Sequence, residues 1–181
     1  MTKFLSSDQN YFSLLEISCD FEVDLETARE TFLSLQRKFH PDQFSGCDES
    51  EQLAALHSSS LLNDAYETIS SPLKRAAYLL GLSGVDVEQT SQKDLGMELL
   101  MEQMELREVL GSLPDGEQGL EELETLQDAV SEKVASCQLE FGKALAKNDL
   151  LGSKRLYHKL QFLIKLTTEI TEDEDRRLGL G

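Results

Sequence analysis

The sequence predicts an all-α fold in two unequal halves. Three observations carry that expectation. Apolar residues recur at three- and four-residue spacing along nearly the whole chain, no stretch of useful length alternates apolar with polar, and three prolines and eleven glycines in 181 residues leave little room for loops.

Each element follows from local chemistry. "SSDQNYFSLLEI" begins with Ser and Asp capping candidates and sets Tyr11, Leu14 and Leu15 on one side of a short first helix. "CDFEVDLETARETFLSLQRKF" offers Asp24 as an N-cap and Thr27 at the third helical position. Leu25, Ala28, Phe32, Leu35 and Phe39 then recur until Pro41, which cannot continue a helix and pushes His40 toward extended backbone. "QFSGCDES" reads as a loop. A long third helix is expected from Glu49 to Ser70, with a stripe of Leu53, Leu56, Ser60, Asn63 or Asp64, and Ile69. In "SSPLKRAAYLLGL", Ser71 caps a fourth helix, Pro72 sits in its first turn and Gly81 closes it.

"SGVDVEQTSQKD" is the only plausible linker. Three further helices are predicted at 94–112, 118–147 and 149–175, with turns in "GSLPDGEQG" and "KNDLLG". Such short connections favour antiparallel neighbours, hence a three-helix bundle. The expected organisation is 1–82, a linker at 83–93, and 94–181.

Composition narrows function. A net charge of −17 opposes nucleic acid as a main partner and repels anionic membranes. Cys19, Cys47 and Cys137 are scattered, with no C-x-x-C and no histidine at metal-ligand spacing, which fits reduced thiols and a reducing compartment. No apolar stretch reaches signal-peptide or membrane-spanning length, so a cytoplasmic protein is expected.

The fifth helix carries more apolar residues than one core stripe needs. At about 100° per residue, Leu95, Leu99, Leu106, Leu110 and Leu113 fall in one narrow arc, the core face. Met97, Leu100, Met101, Met104 and Glu108 form a second arc, with Glu102 and Glu105 placed at its margins. A methionine-rich stripe edged with glutamate is either a partner site or a second core face under another helix. On the seventh helix Leu156, Leu160, Leu163 and Thr167 share a face, while Phe162 points away and is free to join the same patch.

Candidates for catalysis are weak. His40 followed by Pro41 and Asp42 resembles an acid/base pair, but no second group is oriented against it, and Cys47 has no accompanying Asn or second His motif. His57 and His158 are isolated and read as surface or boundary residues. "EITEDEDRR" reads as a solvated helix end. Arg29, Arg37 and Lys38 gather beside His40-Pro41-Asp42 on an otherwise acidic chain, which suggests a docking surface for an acidic protein. The plainer alternative is that Pro41 merely stops the helix and Asp42 serves a turn.

"NYFSLLEIS", the helix ending "RKFHPDQF", and "LLNDAYETISSPLKRAAYLL" together resemble a J-domain, the module that stimulates ATP hydrolysis by DnaK-type chaperones. The second half, with "LLMEQMELRE", resembles the HscB family of J-type co-chaperones, which serves iron–sulfur cluster assembly. The resemblance covers nearly the whole chain. It implies an N-terminal J-domain with an antiparallel helical hairpin and a C-terminal three-helix domain that holds the scaffold protein IscU for the chaperone HscA. It implies no enzyme activity, no cofactor and no bound metal.

Carried over by position, His40, Pro41 and Asp42 would contact HscA, helped by Arg37 and Lys38 with Arg29 on the same basic face. Leu100, Met101, Met104, Glu105, Glu108 and Phe162 would form the scaffold-binding face. Three features depart from the pattern: Gln43 stands where many J-domains have lysine, Ser112 where relatives can carry an acid, and the paired-cysteine module of some eukaryotic relatives is absent. A general J-protein that holds extended clients through the Met-rich face is the alternative. A thiol or metal enzyme built on Cys47 and His40 is the more distant one.

Overall fold

A computed structural model describes residues 4–5, 9–88 and 96–180. Among these lie seven α-helices, one 3-10 turn and no strand. The capping candidates Ser6, Ser7 and Asp8, the core candidate Leu95, and positions 89–93 of the expected linker lie outside the described residues. The chain divides into two compact units, 1–79 and 80–181.

The first unit holds α1 (Tyr11–Leu14), α2 (Leu25–Phe39), the 3-10 turn (Pro41–Phe44), α3 (Glu49–Ser70) and most of α4 (Pro72–Leu82). Asn10 caps α1 by accepting from the Ser13 N–H at 2.7 Å. Asp24 caps α2 as expected, accepting from the N–H groups of Glu26 and Thr27 and from the Thr27 hydroxyl. Asp48 caps α3 through the Glu51 N–H. Phe32 stacks on Tyr66, while Pro41 lies beside Leu53 and Leu56, so α2 and α3 run antiparallel. Tyr78 ties α4 back to the start, stacking on Tyr11 and accepting its backbone N–H at 3.0 Å.

Two expectations for this unit need correction. The buried stripe of α3 is Ala55, Ser58, Leu61, Leu62, Ala65 and Ile69, whereas Leu53 and Leu56 are 66% and 56% exposed. Small residues, Ala55, Ser58 and Ala65, occupy half of the buried face, so the larger leucines mark the wrong register. Gly81 does not close α4; the helix runs through it to Leu82, and Gly84, at φ 77°, makes the turn in which the Val85 N–H returns to the Leu80 carbonyl.

The second unit holds α5 (Met97–Ser112), α6 (Glu117–Ala146) and α7 (Leu150–Leu178). α6 and α7 form a hairpin; Asn148, at φ 57°, turns the chain, and Asp149 caps α7 by accepting from the Gly152 N–H. Its core is built from Leu123, Leu126, Val130, Cys137 and Phe141 of α6 and Leu160, Leu163, Leu166 and Ile170 of α7. His158 is buried here against Tyr157, so it is no surface residue. The acidic run at the end of α7 is not simply solvated either: Asp173 is buried and paired with Arg176 and Arg177.

Candidate functional site

The first candidate site is the end of α2. His40 leaves the helix at φ −59°, ψ 130°, and Pro41 starts the 3-10 turn. The turn is anchored from both sides: Phe39 and Phe44 are buried, and both rings meet Phe4. Between these anchors the tripeptide stands out from the surface. His40 Nδ1 accepts the Asp42 N–H at 3.3 Å. The Asp42 Oδ2 stands 3.6 Å from the same nitrogen. The carboxylate stays open to solvent, with its side chain 89% exposed. Arg29, Arg37 and Lys38 are exposed, and no ion pair with a carboxylate holds any of them among the described residues. Arg29, Arg37 and Lys38, the last with its ammonium over the Phe39 ring at 5.2 Å, thus stand beside an exposed carboxylate on an anchored turn.

Sequence reasoning missed the neighbours of Pro41. Leu53 and Leu56, assigned to the core, line with Pro41, Glu49 and Gln52 an open groove of about 330 Å³. Cys47 is exposed, and desolvation together with Glu51 and Asp48 pushes its thiol above the usual value, the wrong direction for a thiolate nucleophile. Burial pushes Cys137 up to about 11. No three His, Cys, Asp or Glu side chains converge as a metal site among the described residues.

The second candidate site is the outward face of α5. Met97, Met101 and Met104 are 73%, 55% and 72% exposed, Leu100 is half-buried, and Glu105 and Glu108 are exposed beside them. Leu99, on the opposite side, is buried. The methionine arc is open; of the expected core arc Leu99 is buried, Leu106, Leu110 and Leu113 are half-buried, and Leu95 lies outside the described residues. Phe162 does not join the open arc. Its ring is only 8% exposed and lies beneath the Arg107 guanidinium at 5.7 Å, because α5 crosses α7 at that point.

Glu102 also departs from its expected place. It reaches inward, where Oε1 accepts from Lys133 Nζ of α6 at 2.6 Å and Oε2 from Lys159 Nζ of α7 at 2.8 Å. Burial pushes its carboxyl up, but the two ammonium donors outweigh that and leave it below the usual carboxylate range. The signal was present in the sequence: at about 100° per residue, Glu102 falls beside Leu95 and Leu106, not beside Met101.

An all-helical chain that pairs a rigid His-Pro-Asp turn behind a basic helix with a separate three-helix unit has the build of a J-domain co-chaperone. Residues 95–171 match the family described as the HSCB C-terminal oligomerisation domain. The chain is 37% identical over 173 residues to the co-chaperone protein HscB homolog of Vibrio cholerae O395, covering 94% of this chain and 99% of that one. The structure of the chaperone HscB from Vibrio cholerae superposes with a TM-score of 0.84 at 33% identity, over 93% of this chain and 99% of that one. Human co-chaperone protein HscB superposes at 0.86 and 27% identity, over 95% and 85%. The chain belongs to the HscB family of co-chaperones.

Proposed function

We propose that this protein is a cytoplasmic co-chaperone of iron–sulfur cluster assembly. In this reading, its J-domain engages an HscA-type chaperone through His40, Pro41, Asp42, Arg29, Arg37 and Lys38. Its C-terminal unit carries an IscU-type scaffold on Leu100, Met101, Met104, Glu105 and Glu108. The observation that carries the reading is the presence in one chain of two open surfaces of unlike chemistry. One is an anchored turn with exposed cations and an exposed carboxylate; the other is an exposed apolar face rimmed with acid.

The mechanism follows from what each surface can do. ATP hydrolysis belongs to the chaperone. The turn offers a preformed carboxylate to a cationic group on that partner, so little conformational entropy is lost on binding. The positive charges of α2 steer the turn to an acidic surface. Holding the scaffold on the same chain raises its local concentration at the chaperone.

The test is the steady-state ATPase rate of an HscA-type chaperone with this protein alone and then with IscU. Synergy between the two supports both surfaces. Stimulation without synergy keeps the J-domain and overturns the scaffold assignment. No stimulation by a folded sample leaves His40-Pro41-Asp42 a helix stop.

A second reading, a general J-protein for extended clients, draws on the three exposed methionines, whose flexible side chains can repack against varied surfaces. Competition between an unfolded peptide and IscU for the face separates the two. The matched family's description raises self-association through the same unit, which sedimentation of the chain alone decides.

A further inference from the structure

α5 can present its outward face only if it is held at a fixed angle on α6 and α7. Apolar burial does little of that holding. α5 has one buried residue, Leu99, against six on α6 and nine on α7. Beside its first half runs an open trough of about 560 Å³, lined by Glu98, Met101, Glu102, Glu105, Lys133 and Lys159. A second hollow of about 450 Å³ runs between Met97 and Leu99 on one side and Leu156 and Lys159 on the other. What spans this space is ionic. Glu102 gives one carboxylate oxygen to α6, through Lys133, and the other to α7, through Lys159. Five residues on, Arg107 makes a looser tie, covering the Phe162 ring and standing 3.6 Å from Glu169.

We propose that Glu102 is a positioning residue: by clamping α5 to Lys133 and Lys159 it sets the angle at which Leu100, Met101 and Met104 meet the scaffold, without touching the scaffold itself. This rests on the scaffold-binding reading above. A neutral residue at 102 removes the carboxylate that bonds both ammonium groups, and leaves only Glu98 and Glu105 on the trough and Glu140 on the adjoining hollow as nearby anions. The first half of α5 then keeps Leu99 and the Arg107 tie, and swings, while Arg177 still holds the Pro114 turn at its far end. Exposed surface pairs contribute little to stability, but this carboxylate is four-fifths covered and makes both its bonds to different helices, which is the geometry in which an ion pair fixes orientation.

The experiment uses the full chain, with hydrogen exchange in the free protein and calorimetric titration of IscU run side by side. In Glu102→Gln, amides of α5 are expected to exchange about tenfold faster or more while those of α6 and α7 stay near wild type, and scaffold affinity is expected to fall about tenfold. The charge-reversed triple variant, Glu102→Lys with Lys133→Glu and Lys159→Glu, rebuilds the clamp with opposite signs and is expected to restore both readouts. A carboxylate that met the scaffold directly would not be rescued by reversal, so failed rescue of affinity with restored exchange overturns the proposal. Unchanged α5 exchange in Glu102→Gln also overturns it, as does faster exchange with wild-type affinity. If wild-type protein gives no titration signal, the scaffold reading itself falls, while the exchange data still report whether Glu102 holds α5.

Discussion

Arg177, near the end of α7, donates from Nη1 to the carbonyl oxygen of Pro114 at 2.6 Å, across 63 positions of sequence. Its Nε donates to Asp173, also at 2.6 Å, so the buried carboxylate aims the guanidinium at the turn between α5 and α6. Gly119 makes the approach possible. A Cβ there would stand 1.8 Å from the Pro114 oxygen and 2.6 Å from Arg177 Nη1. The far end of α5 is thereby pinned by a hydrogen bond and its first half by the Glu102 clamp.

Gly119→Ala should therefore destabilise the C-terminal unit, although alanine is the better helix former. Relieving the clash requires moving backbone, which costs about 1–3 kcal/mol. For a unit of this size each kcal/mol shifts the midpoint by roughly 4–8 °C. Calorimetry of the full chain checks it; a midpoint equal to or above wild type would show that the turn yields freely.

Much of the fold was legible in the sequence because capping and periodicity are local. Asp24, Ser71 with Pro72, and the break at His40-Pro41 stand where side-chain chemistry puts them. The register of α3 was not legible, because half of its buried face is Ala55, Ser58 and Ala65, which carry almost no hydrophobic signal. The two arcs of α5 were legible from the angle between successive residues. The burial of Phe162 was not, since it depends on where α5 crosses α7. Asp173 misled for a similar reason: only the fold brings the Pro114 carbonyl to Arg177 and so gives the buried carboxylate its task.

Asp42→Asn keeps the size of the side chain and removes its charge. The carboxylate accepts no hydrogen bond that the fold depends on; the Asp42 contact with His40 is through its backbone N–H. Thermal midpoint and IscU affinity should stay at wild type, while stimulation of the chaperone's ATPase drops about tenfold or more, the loss expected for one charge-assisted hydrogen bond. Full stimulation by the variant would rule the carboxylate out as the contact.

Leu100, Met101 and Met104 changed together to alanine should separate binding from stability. Their burial at an interface is worth roughly 1.5–3 kcal/mol per side chain, so scaffold affinity should fall by about a hundredfold or more. Because Met101 and Met104 are mostly exposed in the free protein, the melting midpoint should move little. Phe162→Ala is the contrasting case. It empties a buried ring site, costs about 3–5 kcal/mol and should lower the midpoint by more than about 10 °C. If Phe162→Ala melted like wild type and only binding suffered, the ring would belong to the open face after all.

The clamp has a pH signature with a definite sign. Glu102 is held below the usual carboxylate value near 4.5, so it binds protons less readily folded than unfolded. Its contribution is present above about pH 4.5 and is lost as pH falls through the lower folded value. Lys159 is shifted the other way: burial pulls it down, but the bond to Glu102 outweighs that and raises it above the usual 10.5. Its contribution is present below about pH 10.5 and is lost as pH rises through the higher folded value. Exchange protection of α5, referenced to α6, should therefore hold across neutral pH and fall on the acid side below about 4.5. In Glu102→Gln the acid fall should flatten, because the group that titrates is gone. An acid limb of the same size in the variant would assign the loss to other carboxylates and remove Glu102 from the account.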